Sequence, residues 1–461
     1  MSQRPLAELI ASRALDPTLH IPDSVRSKLQ QVTTDAYGLM IAARREPYVT
    51  AIVDSVLDPG ESHAFGHSGG FSALDACLIN GTAIHGEDFD DTFEGTPVHV
   101  SSIIVPVMLA LGQRTSITHE SWLRAMAVGS ELICRLALVA PTAVHRQGFH
   151  PTAVLGAFGA ALSASVAMQL SAVQTANALG IVGSMASGII EYLAEGTWTK
   201  RMHPGWAASA GIRAASMAKH GFQGPRTVFE GTHGVFKAFA VAEIPRDFSH
   251  LTTFAETWVC HDLAFKPYAC GTMTQPFVDC AIEASQSISE NQVTRITAHV
   301  GEGTVHRLWE PLAEKRNPST PYGAKFSVPY CIAVGWLDKQ AGLSAFTEAR
   351  RQQDDIQRLT SRIEYVVNPN DPYPADYIGH IEVTLADGST QTFTQPCLRG
   401  GKRQPMSSEE IHAKCRLNLA YGGMPESQIE AAMLTIAALF QDKNNIRECI
   451  HKLGQLGEHT L

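Results

Sequence analysis

The chain has 461 residues and a formal net charge of −9. Its 44% hydrophobic and 18% charged residues are typical of a folded globular protein and exclude a disordered chain. The length predicts two domains, and the acidic charge balance argues against nucleic acid as the main partner. The nine cysteines show no Cys-x-x-Cys pair and no zinc-ligand spacing, which favours reduced thiols in a cytoplasmic protein. The N-terminus lacks the apolar core of a signal peptide.

The first 260 residues predict a succession of helices. Apolar periodicity and start signals place them at 25–40, 71–91, 122–139, 151–170 and 207–220. The first follows Pro22-Asp23-Ser24, a combination that suits a capped helix start. Residues 151–190 contain no charged side chain. Because Ala, Gly and Ser dominate this stretch and polar residues interrupt it, it predicts closely packed core helices rather than a membrane span.

The pattern changes after about Cys260. Period-two runs of β-branched residues, and the Asp387-Gly388 turn signal, predict strands at 293–300, 362–367, 380–385 and 390–394. Helices are expected at 324–337, 409–419 and 426–440. The sequence therefore predicts a mainly α protein. A large all-helical domain of residues 1–262 plus 406–461 holds an inserted, smaller α+β domain of residues 263–405.

A basic stretch stands out from the acidic chain. Between Glu195 and Glu230 there is no acidic residue, and the cations are Lys200, Arg201, Arg213, Lys219 and Arg226. Clustered cations repel unless they are solvated or surround an anion. A solvated helix face explains the charges alone. The acid- and histidine-rich segment at 85–92 favours a second interpretation, in which both segments line one pocket for a small carboxylate-rich substrate.

The segment at 85–92 offers several chemically useful groups. On a helix, His85, Asp88, Asp91 and Thr92 would share one face. Asp88, Asp90 and Asp91 also resemble a Mg²⁺-binding cluster. A helix end with solvated acids is the structural alternative for each of them.

Two further histidines follow. His99 lies in a proline-flanked loop, where positioned catalytic groups often sit. His150 precedes Pro151 at an expected helix start, where it can donate to an anion. As isolated histidines, both could instead be structural.

Two lysines and a tyrosine lie near the expected domain boundary. Lys266 precedes a proline and is a candidate carboxylate clamp, although an ordinary surface lysine fits equally. Lys325 and Tyr330 flank an expected helix start. The sequence contains no dinucleotide-binding glycine loop, P-loop or His-Glu-x-x-His, and it has a Gly-x-Ser-x-Gly match at Gly66-His-Ser-Gly-Gly70. Dehydrogenase, NTPase and zinc-protease functions therefore lose their main support.

Five motifs in this order resemble the MmgE/PrpD family. They are His85-x-x-Asp-Phe-Asp-Asp-Thr with His99, Gly-Phe-His150-Pro-Thr, Gly-Thr-x-Thr-Lys200-Arg-x-His203-x-Gly, Phe-Lys266-Pro-Tyr-x-Cys and Ala-Lys325-Phe-Ser-x-Pro-Tyr330. The resemblance runs over essentially the whole chain. It implies a helical domain with a smaller α+β lid, usually in a homodimer. Family members include 2-methylcitrate dehydratase, cis-aconitate decarboxylase and iminodisuccinate epimerase, which act on small di- or tricarboxylates without a redox cofactor or a required metal.

The resemblance implies that Asp88, Thr92, His99, His150, Lys200, Lys266 and Tyr330 are pocket residues, and we assign roles from their chemistry. His99 is the leading acid–base group, His150 its partner, Tyr330 a proton relay and Asp88 an orienting group. The expected substrate-binding residues are Thr92, Lys200, His203, Lys266 and Lys325. The chain departs from the family pattern at Gly271 and Gln275, where members often carry Cys or His, and in the loop 93–98.

These roles predict a cofactor-independent lyase for a small polycarboxylate. Dehydration in the style of 2-methylcitrate dehydratase is the first hypothesis. Epimerisation of an iminodisuccinate-like acid and cis-aconitate-type decarboxylation remain open. A non-catalytic carboxylate binder would need the cations but not the histidines and the tyrosine. Neither nucleic acid nor membrane is an expected partner.

Overall fold

The computed structural model describes residues 4–94, 96, 98–373 and 375–457. Gly95 and Pro97 of the loop 93–98 lie outside the described residues. The chain folds as two compact units, Met1–Leu263 with Ser408–Leu461, and Ala264–Ser407. The predicted mainly α fold with a smaller sheet-containing part is confirmed.

The elements up to the first unit boundary are mostly helices. They are α1 Leu6–Ala14, α2 Asp23–Ala43, α3 Pro47–Asp54, β1 Pro59–Ser62, α4 Ala73–His85, β2 Thr92–Phe93, α5 Ser101–Arg114, α6 His119–Val139, α7 Ala143–Arg146, α8 Pro151–Ala167, α9 Ala172–Val182, α10 Tyr192–Glu195, α11 Thr199–Lys219, α12 Val235–Ala238 and α13 Ser249–Thr252.

The remaining elements alternate helices and strands and then return to helices. They are β3 Leu263–Ala264, α14 Gln275–Ser287, β4 Val293–Val300, α15 Glu302–Leu308, α16 Leu312–Arg316, α17 Pro321–Ala324, α18 Val328–Asp338, α19 Glu348–Arg351, α20 Asp354–Thr360, β5 Ile363–Val367, β6 Gly379–Leu385, β7 Thr390–Gln395, α21 Ser408–Tyr421, α22 Glu426–Ala438 and α23 Ile446–Gln455.

A four-stranded sheet organises the second unit, in the order β5-β4-β6-β7. Strand β4 pairs parallel to β5, with Ile296 opposite Ile363, and antiparallel to β6, with Ala298 opposite Ile381. Strands β6 and β7 form the expected hairpin. Helix α14 packs on this hairpin and against α18. The four strand predictions are confirmed, because alternation and turn signals are local features of the sequence.

Helix α8 forms the centre of the first unit. Every residue of Pro151–Ala167 is buried, and the helix packs against α5, α6, α9 and α11. This confirms that its uncharged, small side chains belong to a packed core. Among the described residues, no helix is long and apolar enough to cross a membrane.

Helices α4 and α11 cross at two glycines. A Cβ added at Gly81 would lie 2.5 Å from the Cα of Gly205, and one added at Gly205 would lie 2.3 Å from the Leu78 carbonyl oxygen. Such distances leave no room for a side chain on either helix. The crossing brings the C-terminal end of α4 and the first turns of α11 together, and both carry predicted site residues.

The predicted helix 71–91 is correct at its start and wrong at its end. The Ser72 hydroxyl accepts a hydrogen bond from the Asp75 backbone and caps α4, which ends at His85. Asp88 then takes a left-handed backbone conformation, with φ of 54°. The prediction that His85, Asp88, Asp91 and Thr92 share one helix face is therefore wrong. The predicted helix 324–337 is similarly split, because Ser327 caps a new helix, α18.

Candidate active site

The turn after α4 holds a buried ion pair. The Lys200 ammonium, in the first turn of α11, donates to the Asp88 carboxylate, and the two side chains are 16% and 6% exposed. Next to this pair, the Arg201 guanidinium lies 4.1 Å from the ring centre of Tyr48, whose hydroxyl donates to Glu87. The basic stretch is thus not simply a solvated face, since its first two cations pair with this turn.

Asp90 follows this turn in the chain and accepts a hydrogen bond from the last residue of α4. The Nδ1 of His85 is 2.8 Å from the Asp90 Oδ2, and both side chains are fully buried. A carboxylate at neutral pH only accepts, so His85 carries its proton on Nδ1. Although burial opposes the charged form, the interactions with His85 and His99 hold the pKa of Asp90 well below its usual range. The structure therefore contains a buried aspartate anion in contact with an imidazole.

Backbone contacts fix the ring of His99. Its Nδ1 is 2.7 Å from the Asp91 carbonyl oxygen, which only accepts, so this nitrogen carries a proton. The same Nδ1 lies 3.4 Å from the Asp90 Oδ1. The Asp91 carboxylate accepts from the backbone N–H groups of Val100 and Ser101 and thereby holds the start of α5. His99 is left with Nε2 as the nitrogen that can exchange a proton with a substrate.

His150 and His203 form a second imidazole contact. His150 is the residue before α8, as predicted, and its Nδ1 lies 3.1 Å from the Nδ1 of His203 on α11. One of these nitrogens must donate to the other. The ring of His85 stacks on His150 at a centroid distance of 5.6 Å and meets His99 edge-on at 4.7 Å. The four rings therefore form one continuous cluster.

Burial keeps three of these rings neutral. Burial, together with repulsion from Lys200, lowers the pKa of His85 and of His203 to about 4, and in His85 the interaction with Asp90 opposes this shift. The same two causes hold the pKa of His150 well below its usual range. The charge of Lys200 contributes to all three shifts. At neutral pH the cluster thus presents neutral imidazoles next to a lysine.

The acids form no common magnesium site within the described structure. Asp88 binds Lys200, Asp90 binds His85 and Asp91 holds the start of α5. Ligand atoms of His85, Asp90 and His99 lie within 4.8 Å of one another. However, the Nδ1 protons of both rings already point to oxygen atoms. Those protons occupy the positions that a metal bound at Nδ1 would take.

A second buried ion pair, between Lys414 and Asp35, contacts the turn at Phe89. The Nζ of Lys414, on α21, donates to the Asp35 carboxylate at 2.9 Å and to the Phe89 carbonyl at 2.7 Å. Burial raises the pKa of Asp35 to about 6, although Lys414 opposes the shift. The sequence analysis missed both residues. The available signal was one acid within the wholly buried stretch 32–43 of α2.

The second unit carries the other predicted residues. Tyr330 is fully buried, its hydroxyl donates to the Ala345 carbonyl at 2.7 Å, and burial raises its pKa. Lys266 and Lys325 are buried, and the Lys325 ammonium lies 5.9 Å from the ring centre of Phe346. Gln275, which stands where the family resemblance implied a histidine, donates to the Cys270 carbonyl.

Two further positions named in the sequence analysis are Gly271 and Thr92. A Cβ at Gly271 would lie 3.0 Å from the ring of Phe326, so a larger residue there needs a shift of that ring. Thr92, in the first unit, is half-buried in β2. The structure thus brings together Asp88, His99, His150, Lys200 and His203 in the first unit.

Comparison with known families decides the relationship. The model of the MmgE/PrpD N-terminal domain matches residues 5–246, and that of the MmgE/PrpD C-terminal domain matches residues 268–437. The chain belongs to the MmgE/PrpD family. The matched ranges include the histidine cluster and the Asp88–Lys200 pair in the first and Lys325 in the second.

Several relatives carry the name cis-aconitate decarboxylase. The protein from Homo sapiens is 29% identical over 350 residues, which cover 74% of this chain and 72% of the relative. The protein from Mus musculus is also 29% identical, covering 74% and 71%. The protein from Aspergillus terreus is 24% identical over 441 residues, covering 89% and 88%. The similarity therefore extends over most of both chains.

Proposed function

We propose that this family member is a lyase for a small polycarboxylate, and that it decarboxylates a cis-aconitate-like acid. The family and the names of its relatives support the class of reaction. The observation that carries the proposal is the orientation of His99. Its Nδ1–H is bound to the Asp91 carbonyl, so its Nε2 remains for proton transfer, and the cation Lys200 acts electrostatically on the neighbouring ring of His150.

The proposed step breaks the carbon–carbon bond to one carboxylate and releases CO₂. The electron pair stays on the former neighbour carbon, where it is conjugated with the double bond and a remaining carboxylate. A proton from the Nε2 of an imidazolium at His99 then forms the new C–H bond. Lys200 stabilises the developing charge, an effect commonly worth about 3–4 kcal/mol for a well-placed donor. We propose Lys266, Lys325, Thr92 and His203 as further substrate-binding residues.

The predicted dehydration remains an alternative. The relatives named above are called cis-aconitate decarboxylases, so we place dehydration second. Its support is the His150–His203 contact, a second pair of imidazoles that could serve the departing hydroxyl, with Asp88 orienting the substrate and Tyr330 as relay. Epimerisation would use the same two histidine sites on opposite faces of one carbon. We further propose a homodimer in the cytoplasm, and light scattering tests the dimer.

An NMR assay in D₂O tests the proposal. Purified protein is incubated separately with cis-aconitate, a 2-hydroxy tricarboxylate and an imino- or amino-dicarboxylate. We expect loss of CO₂ from cis-aconitate and one deuterium in the product. A new alkene from the hydroxy acid would instead establish dehydration, and exchange without a new functional group would establish epimerisation. If these acids bind without any turnover, and bind equally well to the wild type and to His99→Asn, the proposal that the protein is an enzyme is refuted.

A further inference from the structure

His85 occupies an unusual position for a histidine. Its side chain is wholly buried at the end of α4, and its Nδ1–H is bound to Asp90 at 2.8 Å. No described residue offers a hydrogen-bond partner to its Nε2, which is also buried. A buried polar atom left without a partner destabilises the folded protein. A leucine would fill this position without that cost, so the imidazole has another reason to be there.

That reason lies in the second contact of Asp90. Its Oδ2 accepts a hydrogen bond from the Nδ1–H of His85. Its Oδ1 lies 3.4 Å from the Nδ1 of His99. One buried carboxylate thus faces two imidazoles whose centroids are 4.7 Å apart. Two imidazolium rings at this distance would repel strongly, so Asp90 can support one of them at a time.

The rings of His85 and His99 differ in their burial and in the groups around them. Burial and the neighbouring cations keep His85 neutral, so it can only donate its Nδ1–H to Asp90. His99 is the less enclosed ring, with a side chain 10% exposed. The other groups facing His99 are Asp91 on its own loop and His150, which precedes α8, while Lys200 on α11 acts on His85 and His150.

We propose that His85 is a positioning residue of the acid–base site: it holds Asp90 as an oriented anion, and this anion stabilises the protonated ring of His99. The inference rests on the acid–base role of His99 in the proposed function. If His85 is replaced by leucine, Asp90 loses its donor, and burial then favours its neutral form. A neutral Asp90 no longer stabilises an imidazolium, so His99 should release its proton at lower pH.

The test is an NMR titration of ¹⁵N-histidine-labelled protein without substrate. The His99 ring signals are assigned by their loss in His99→Asn. In His85→Leu and in Asp90→Asn we expect the His99 titration midpoint to fall by about one pH unit or more, as for loss of a nearby opposite charge. The double variant should show no larger fall than either single variant.

His85→Asn is the matched control. The asparagine amide carries an N–H at the same bond distance from the backbone as Nδ1, so it can keep the donor to Asp90 and should leave the His99 midpoint near that of the wild type. A midpoint unchanged in His85→Leu, or one moved equally far by His85→Asn, would overturn the proposal. If His85→Leu does not fold, an unchanged midpoint in Asp90→Asn overturns it.

The titration stands apart from the proposed reaction. If wild-type protein turns over none of the acids while the midpoint moves as expected, the proposed function is wrong and the role of His85 is supported. Where turnover is found, the limb of the pH–rate profile that depends on His99 should move in the same direction and by a similar amount. A merely structural role for His85 would lower the rate without moving that limb.

Discussion

Replacement of Lys414 by methionine should destabilise the helical unit in a pH-dependent way. Methionine keeps the unbranched stem of the side chain and removes the charge. In the wild type, the Lys414 ammonium binds the Asp35 carboxylate at 2.9 Å and the Phe89 carbonyl at 2.7 Å, and it lies 3.9 Å from the ring centre of Phe89. The side chains of Lys414 and Asp35 are only 5% and 1% exposed. The variant therefore leaves a buried carboxylate without its cation.

The expected magnitude follows from this burial. Removal of one partner of a buried pair commonly costs about 3–5 kcal/mol. Protonation of Asp35 can relieve part of this cost, because burial already raises its pKa from 3.8 to about 6. An acid with a raised folded-state pKa favours folding at low pH, and this contribution is lost as the pH rises through that pKa. Without Lys414 the pKa rises further, so the difference between variant and wild type should grow from pH 5.5 to pH 8.

Urea unfolding followed by circular dichroism at 222 nm measures the effect. We expect Lys414→Met to lose about 3 kcal/mol or more at pH 8 and clearly less at pH 5.5. The double variant Asp35→Asn/Lys414→Met should recover part of the loss, since no charge is then buried. Lys219→Met, at an exposed position at the end of α11, is the matched control and should change stability by less than about 0.5 kcal/mol. A loss below about 1 kcal/mol at pH 8, or one independent of pH, would refute the reasoning.

Three further predictions concern activity. Lys200→Ala should lower kcat/KM by an amount equivalent to about 2 kcal/mol or more, because a charge-assisted contact to the substrate is lost. The control Lys219→Ala should leave kcat/KM unchanged. Equal kinetics in the two variants would contradict an anion-binding role for Lys200. His99→Asn keeps a donor for the Asp91 carbonyl but lacks Nε2, so steady-state assays should show most turnover lost while calorimetry still detects carboxylate binding. Activity should persist after exhaustive dialysis against EDTA, and loss that Mg²⁺ restores would revive a metal site.

The sequence predicted the strands and most helices because their signals are local. Alternation over 293–300 and the Asp387-Gly388 turn need no information from distant residues. The end of α4 was predicted incorrectly because the helix was extended to Asp91, past Gly86, which is its C-cap. The helix stops there, and Asp88 adopts a positive φ in contact with Lys200, which is 112 residues away. A tertiary contact of this kind overrides a local pattern, and the sequence alone does not reveal it.

Motifs identified the candidate site residues but not their partners. The family pattern includes Asp88, His99, His150 and Lys200, and the structure supplies the contact between the first and last of these. Nothing local indicates that His150 meets His203 through their Nδ1 atoms. Lys414 is harder still to predict, since it reaches the turn from a helix that follows the whole second unit.

The buried acids differ in the groups that compensate their negative charges. Asp88 and Asp35 each face a lysine, so both negative charges are compensated within the protein. Asp90 differs, because its contacts are imidazoles, and the ring it bonds at 2.8 Å is held neutral by burial. Protonation of His99 is therefore the compensation available to Asp90 among these contacts. A polycarboxylate bound at Lys200 would bring further negative charge to the same cluster, and this charge would favour the imidazolium that the proposed proton transfer requires.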